Sequence, residues 1–235
     1  LTAEQAIART GIANVLLAGG LPLEPATLAA MPAARRVIAK NSLHRGSAGG
    51  NRLAADECAA ALHQAKALAA ADPRVDGFLI DDFSTGSIEA GATPAALARL
   101  QRVNAVEGPQ LPLLGTVYEM SLEDERVWAC LPYFAAFLSP LWHAADIDRY
   151  PGYVDRLAAL SGDKPQLGCI YLYDFGNSRV LSWAQMERQL IVAEDLLRSG
   201  RVFGVCVLGT CLMDQDWDAN RCLERWLERA GDAPL

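Results

Sequence analysis

Lysine is scarce in this 235-residue chain: Lys40, Lys66 and Lys164 stand against a large excess of arginine, and no basic run occurs. With a formal net charge of -7, that argues against a nucleic-acid partner, which needs clustered Lys and Arg to displace counterions from phosphates. Histidine is equally sparse. His44, His63 and His143 lie far apart, without an H-x-x-x-H, and the cysteines (Cys58, Cys130, Cys169, Cys206, Cys211 and Cys222) contain no C-x-x-C, so no metal is expected. Cys169 and Cys206 fall in apolar strand-like runs and read as buried thiols. The closest cysteine pair along the chain is Cys206 and Cys211, in "CVLGTC". No apolar stretch reaches the roughly 18 to 20 residues that span a bilayer, so no membrane partner is expected. The opening "LTAEQAIART" lacks a basic start followed by an apolar block. The chain begins on Leu1 and not on Met, which leaves an upstream leader open, and localisation with it. There is no repeat, no low-complexity tract and no visible linker, and the sequence carries no signal for oligomeric state.

What is present is alternation. About half of the residues are hydrophobic (51%), enough for a large core, and short apolar runs alternate with amphipathic stretches in the manner of consecutive βα units. Seven strands are expected: residues 12–19, 35–42, 75–82, 112–119, 134–142, 167–175 and 202–210. Helical patterns begin near residues 55, 93, 121, 150, 182 and 218. Their starts are marked by Thr93 with a proline behind it, by Ser121 with Asp124 three residues on, and by Ser182 with Gln185 three residues on. The opening segment is itself a helix, capped by Thr2 with Gln5 and stopped by Gly11. These elements imply an α/β fold, a (β/α)8 TIM-type barrel over 1–235 as one domain, whose first strand would lie upstream of Leu1. An open doubly wound sheet satisfies the same alternation, but no G-x-G-x-x-G comes after the first strand, so no nucleotide cofactor is expected.

In a barrel, the carboxyl ends of the strands carry the active site. Those ends hold Lys40 and Asn41, Asp81 and Asp82, Tyr118 and Glu119, Trp142 and His143, and Tyr173 and Asp174. An acid after a strand is often only the cap of the next helix. For Asp81 and Asp82 that reading is weak, because "STGSIEAGAT" intervenes and Thr93 already caps the helix beyond it. For Asp174 a separate cap, Ser182, serves the helix. Side chains alternate along a strand, so Leu79 and Asp81 share one face while Ile80 and Asp82 share the other. One of the two acids is therefore expected to point into the mouth and its neighbour away from it.

Several acids with aromatic platforms suit glycoside hydrolysis, in which one carboxylic acid protonates the departing oxygen and a second carboxylate acts as nucleophile or base. "VDGFLIDD" resembles the fourth strand of glycoside hydrolase barrels, and "IYLYDFGN" is similar to a later strand tip of sugar-active barrels. Of the chitinase-type pattern D-G-x-D-x-D-x-E, Asp76, Gly77 and Asp81 are matched, while Leu79 and Phe83 stand where an acid and the catalytic Glu belong. The resemblance implies a carbohydrate substrate. It also implies that Asp81 or Asp82 pairs with Glu119 or Asp174, with Tyr118, Trp142 and Tyr173 as stacking walls and His143, Lys40 and Asn41 as further contacts. The glycine-rich loop after the second visible strand would bring His44 and Arg45 over the mouth. Other readings of the same residues are a Schiff-base aldolase or lyase through Lys40, a divalent-ion site of Asp81, Asp82 and Asp174, and a sugar-binding barrel without catalysis.

Overall fold

A computed structural model describes residues 1–17, 24–42, 55–89, 91–106 and 108–230. Helix α1 (Ala3–Thr10) opens it, with the reciprocal Thr2 and Gln5 capping box and a left-handed Gly11 at its end. Then come β1 (Asn14–Leu16), α2 (Pro25–Ala29), β2 (Arg36–Ser42), α3 (Ala55–Ala71), β3 (Val75–Phe83), α4 (Thr85–Glu89), α5 (Pro94–Ala105) and β4 (Leu113–Val117). The chain continues with α6 (Glu125–Trp128), β5 (Ala136–Ser139), α7 (Tyr150–Ser161), β6 (Gln166–Tyr171), β7 (Tyr173–Asp174), β8 (Arg179–Val180), α8 (Trp183–Arg198), β9 (Gly204–Leu208) and α9 (Asp218–Ala230).

Seven strands form one parallel sheet in the order β1-β2-β3-β4-β5-β6-β9, with each new strand added on the same side. Its two faces are buried differently. The outer face packs on helices through Val37, Phe78, Ile80, Phe83, Val117 and Phe137, joined on the β6 and β9 side by Ile170, Met186 and Leu223. The other face forms a cluster of Leu79, Leu114, Leu138, Cys169 and Tyr171 with Leu16, Ile38, Ala136, Leu167, Cys206 and Leu208. All seven strands contribute to this cluster, and among the described residues no helix does. The sheet buries this face by curling on itself, as a barrel does. Seven strands lack one for closure, and β1 and β9 are not paired with each other among the described residues.

Side chains from the helices stitch the strands. Tyr150 of α7 donates its hydroxyl hydrogen to the Ser139 carbonyl (2.6 Å) and accepts from the Cys169 amide (2.9 Å), joining β5 to β6. Its neighbour Tyr153 donates to the carbonyl of Val117, at the end of β4. The helix expected from Ser121 is instead broken into a 3-10 turn over Glu119–Glu123, the short α6 and a second turn over Leu131–Tyr133. The break has a local cause: Asp124, not Ser121, caps α6 by accepting from the Arg126 amide at 2.9 Å, and Pro132 offers no N–H to continue it.

Candidate active site

Alternation sends Leu79 into the lumen cluster and Ile80 into the outer core, so Asp81 follows Leu79 inwards. There Lys40, two residues beyond the lumen residue Ile38 on β2, meets it: Nζ lies 2.6 Å from Asp81 Oδ2, with the side chains 18% and 15% exposed.

Strict alternation would then turn Asp82 outwards, and the structure corrects that expectation. Between Ile80 and Phe83 the pairing with β4 slips, Ile80 facing Gly115 and Phe83 facing Val117, so three steps on β3 match two on β4. The extra residue is a β-bulge. Asp82 takes it up with φ 52°, in the left-handed region that Asp tolerates better than most side chains. Ser87 of α4, 1% exposed, pins the bulge by donating to the Asp82 carbonyl (3.0 Å) while accepting from the Ser84 amide (3.1 Å). Phe83 returns to the outer core, and Asp82 is left at the mouth, where its Oδ1 accepts from the Tyr118 hydroxyl at 3.1 Å. Both adjacent acids therefore reach one site.

The Tyr118 hydroxyl has the Tyr171 phenol as a neighbour. Burial, and after it the negative charge of Asp82, push the Tyr118 phenol far above its ordinary value; burial and the Tyr118 hydroxyl do the same to Tyr171. Both phenols stay protonated, and Tyr118 serves as the donor to Asp82. Gln189 of α8 fixes Tyr171 by accepting from its amide (3.1 Å) and donating to its carbonyl (2.9 Å).

An open cleft of about 350 Å³ is lined by Asp82, Ser84, Thr85, Tyr118, Met120, Ser121 and Trp142. A second, of about 270 Å³, shares Met120 and Trp142 and adds Glu119, Glu123, His143, Asp146 and Arg149. Glu119 sits one residue past Tyr118 and is held by Arg149 at 2.9 Å. Trp142, 38% exposed, stands between the clefts. Its ring meets Tyr118 edge-on at 5.4 Å and stacks near Phe175 at 6.1 Å. Phe175 also contacts Tyr171 and Tyr173, and Tyr173 reaches Trp217 at 6.3 Å. A continuous aromatic wall results. Tyr118, Trp142 and Tyr173 were expected in it from the sequence; Phe175 and Trp217 were not, although "YLYDF" places three aromatics within five residues and so held the signal for Phe175. His143 packs so closely on Gly176 that a Cβ at 176 would lie 2.0 Å from its Nδ1. No side chain fits there.

Asp174 has a different place. Its side chain is fully enclosed (0% exposed). It caps the turn over Phe175–Asn177, accepting from the Asn177 amide (3.1 Å) and side chain (2.9 Å), with Arg179 at 3.5 Å. Burial opposes its ionisation, but hydrogen bonds from Asn177, the Ala144 amide and Arg179 outweigh that and hold the carboxyl below the usual carboxylate range. Nothing links it to the other acids among the described contacts. Among the described residues no group of three or more His, Cys, Asp and Glu is arranged to hold a metal ion. Asn41 lies in register with Ile80 near the end of β2. His44 and Arg45 lie outside the described residues.

No protein-family model and no curated protein sequence matches the chain. Solved structures do. A family 18 chitinase from Crocus vernus superposes with a TM-score of 0.51 at 15% identity, over 88% of this chain and 74% of the chitinase. The chain has a (β/α) TIM-barrel-like fold. A family 17 β-1,3-glucanosyltransferase from Rhizomucor miehei (TM-score 0.48, 16% identity, 78% of this chain and 67% of that one) is also similar. So is the PgaB (BpsB) glycoside hydrolase domain from Bordetella bronchiseptica (0.46, 12%, 86% and 76%). Identities this low speak for the fold, and the chemistry rests on the residues at the mouth.

Proposed function

We propose that this chain is a carbohydrate-active enzyme of the glycoside hydrolase kind, with its chemistry at the end of β3. The observation that carries the reading is the bulge: it places Asp82 in an open cleft beside Trp142 and directly next to the ion-paired Asp81. In the chitinase-type pattern the last acid would stand at Phe83. That side chain is buried outside the lumen, while the extra residue puts a carboxyl at the mouth one position earlier.

Asp82 is the group that would exchange a proton with the glycosidic oxygen, since it alone of the two acids lines the cleft. Asp81, tied to Lys40, supplies a fixed negative charge beside it, suited to a transition state with oxocarbenium character. The Tyr118 hydroxyl orients Asp82. Glu119, across Trp142 and tethered by Arg149, is the candidate second carboxylate, and the aromatic wall offers ring faces to sugars. Asp174 serves as a turn cap in this reading. Lys40 as a Schiff-base nucleophile is disfavoured by its engagement with Asp81, since such lysines are activated in apolar or cationic surroundings.

Reducing-sugar release from a panel of polysaccharides and aryl glycosides tests the reading, with borohydride trapping of a keto substrate alongside. Release without trapping supports it. Saturable oligosaccharide binding without release would establish a sugar-binding barrel instead, and a borohydride adduct at Lys40 would establish a lyase.

A further inference from the structure

Below the mouth, the lumen holds two thiols with no part in the chemistry above. Cys169 of β6 and Cys206 of β9 are direct partners in the parallel register, and both belong to the lumen cluster, so they point to the same side. Register partners on neighbouring strands lie about 4.8 Å apart, within the Cα separation of roughly 4.4 to 6.8 Å that a disulfide spans. The Cys169 thiol donates to the Leu167 carbonyl on its own strand at 3.9 Å, and Cys206 is the thiol that faces it across the register. The two differ in access: Cys169 is 1% exposed, whereas Cys206 is partly exposed on the half-buried strand at the edge of the sheet. Among the described residues β6 is the one strand paired with β9.

We propose that Cys169 and Cys206 are a redox-active pair that closes to a disulfide in the lumen when the protein meets a peroxide. The more accessible Cys206 attacks first. Its thiolate displaces the distal oxygen of hydrogen peroxide, the O–O bond breaks, and Cys206 sulfenic acid forms with loss of hydroxide. The Cys169 sulfur then attacks Cys206 Sγ, the S–O bond breaks, an S–S bond forms and the second oxygen leaves as water. Two thiols are oxidised and one peroxide is reduced to two waters. The neighbouring Cys169 thiol favours this order by drawing the Cys206 thiol below its ordinary value, while burial raises that of Cys169. The bond would tie edge strand β9 to β6 two residues below Tyr171. It is independent of the glycosidase reading, because its readout is covalent.

The test is peptide mapping of the native protein after stoichiometric hydrogen peroxide and alkylation of the remaining thiols. The expected result is the loss of two of the six thiols, a cross-link that fragmentation places between Cys169 and Cys206, and full recovery with dithiothreitol. In Cys169→Ala, Cys206 should instead be trapped as its sulfenic acid by dimedone. A peroxide-treated wild type with all its thiols intact, or a cross-link through Cys211, the nearest cysteine in sequence, would overturn the proposal. So would a reduced Cys206 in folded Cys169→Ala. The wild-type map stands even where the variant fails to fold.

Discussion

Asp82 carries a side chain at φ 52° in the middle of a sheet bulge, and its backbone and its carboxyl make separate demands. A residue without a polar side chain pays about 1 kcal/mol to hold the left-handed region, while glycine holds it freely. Asp82→Gly is therefore expected to be more stable than Asp82→Ala by about 1 kcal/mol, the reverse of the ordinary order in strands; denaturant unfolding of the two variants checks it, and equal stabilities would contradict the conformation. Beside it, Lys40 and Asp81 form a mostly buried pair. Lys40→Met strands the Asp81 carboxylate and is expected to cost about 3 kcal/mol, with most of it recovered when Asp81→Asn is added. A double variant no more stable than the single one would show the two side chains to be uncoupled. At this scale the sequence was informative about identity and silent about direction. Alternation puts Asp81 on the face of Leu79 without saying which face is the lumen, and no residue pattern in "VDGFLIDDF" reveals that the ladder slips after Ile80. The slip depends on β4 and on Ser87, a side chain of the next helix.

Among the elements, every strand of the large sheet was visible as an apolar run, because a sheet covered on both faces needs hydrophobic residues on both. Helices with complete caps were also legible: Ser182 accepts from the Gln185 amide, and the Gln185 side chain answers at the Ser182 amide. Two kinds of element escaped. The 3-10 turns after β4 look like one helix in sequence, and the small β7 and β8 hairpin looks like the tail of the preceding strand. Asp174 belongs to that hairpin, and its enclosure could not be read from a strand end. Its hydrogen bonds lower the folded pKa, so its stabilisation is present above the unfolded value near 3.8 and lost as pH falls through the lower folded value. Asp174→Asn is expected to be less stable than wild type by about 1 to 2 kcal/mol at pH 7. The gap should narrow below about pH 4 in chemical denaturation. A gap unchanged between about pH 7 and about pH 3 would mean that the charge of Asp174 does not matter.

For the whole molecule, the lumen is a single structure to which all seven strands contribute. Leu79 lies at its centre, fully buried, directly beneath Asp81. Leu79→Ala is expected to cost about 3 kcal/mol and to lower the stability of the sheet in one transition, since its neighbours come from several strands. A loss well under about 1 kcal/mol would mean that the lumen is loosely packed. The same architecture accounts for the site. Curling brings the strand ends together, the bulge turns a second acid into the mouth, and the loop aromatics stand around it. The most direct measurement is reducing-sugar release by wild type beside Asp82→Asn, with both shown to be folded by circular dichroism. Loss of the acid at the mouth is expected to lower the rate at least about 100-fold with little change in stability. Hydrolysis by Asp82→Asn at the wild-type rate would place the chemistry elsewhere and contradict the account.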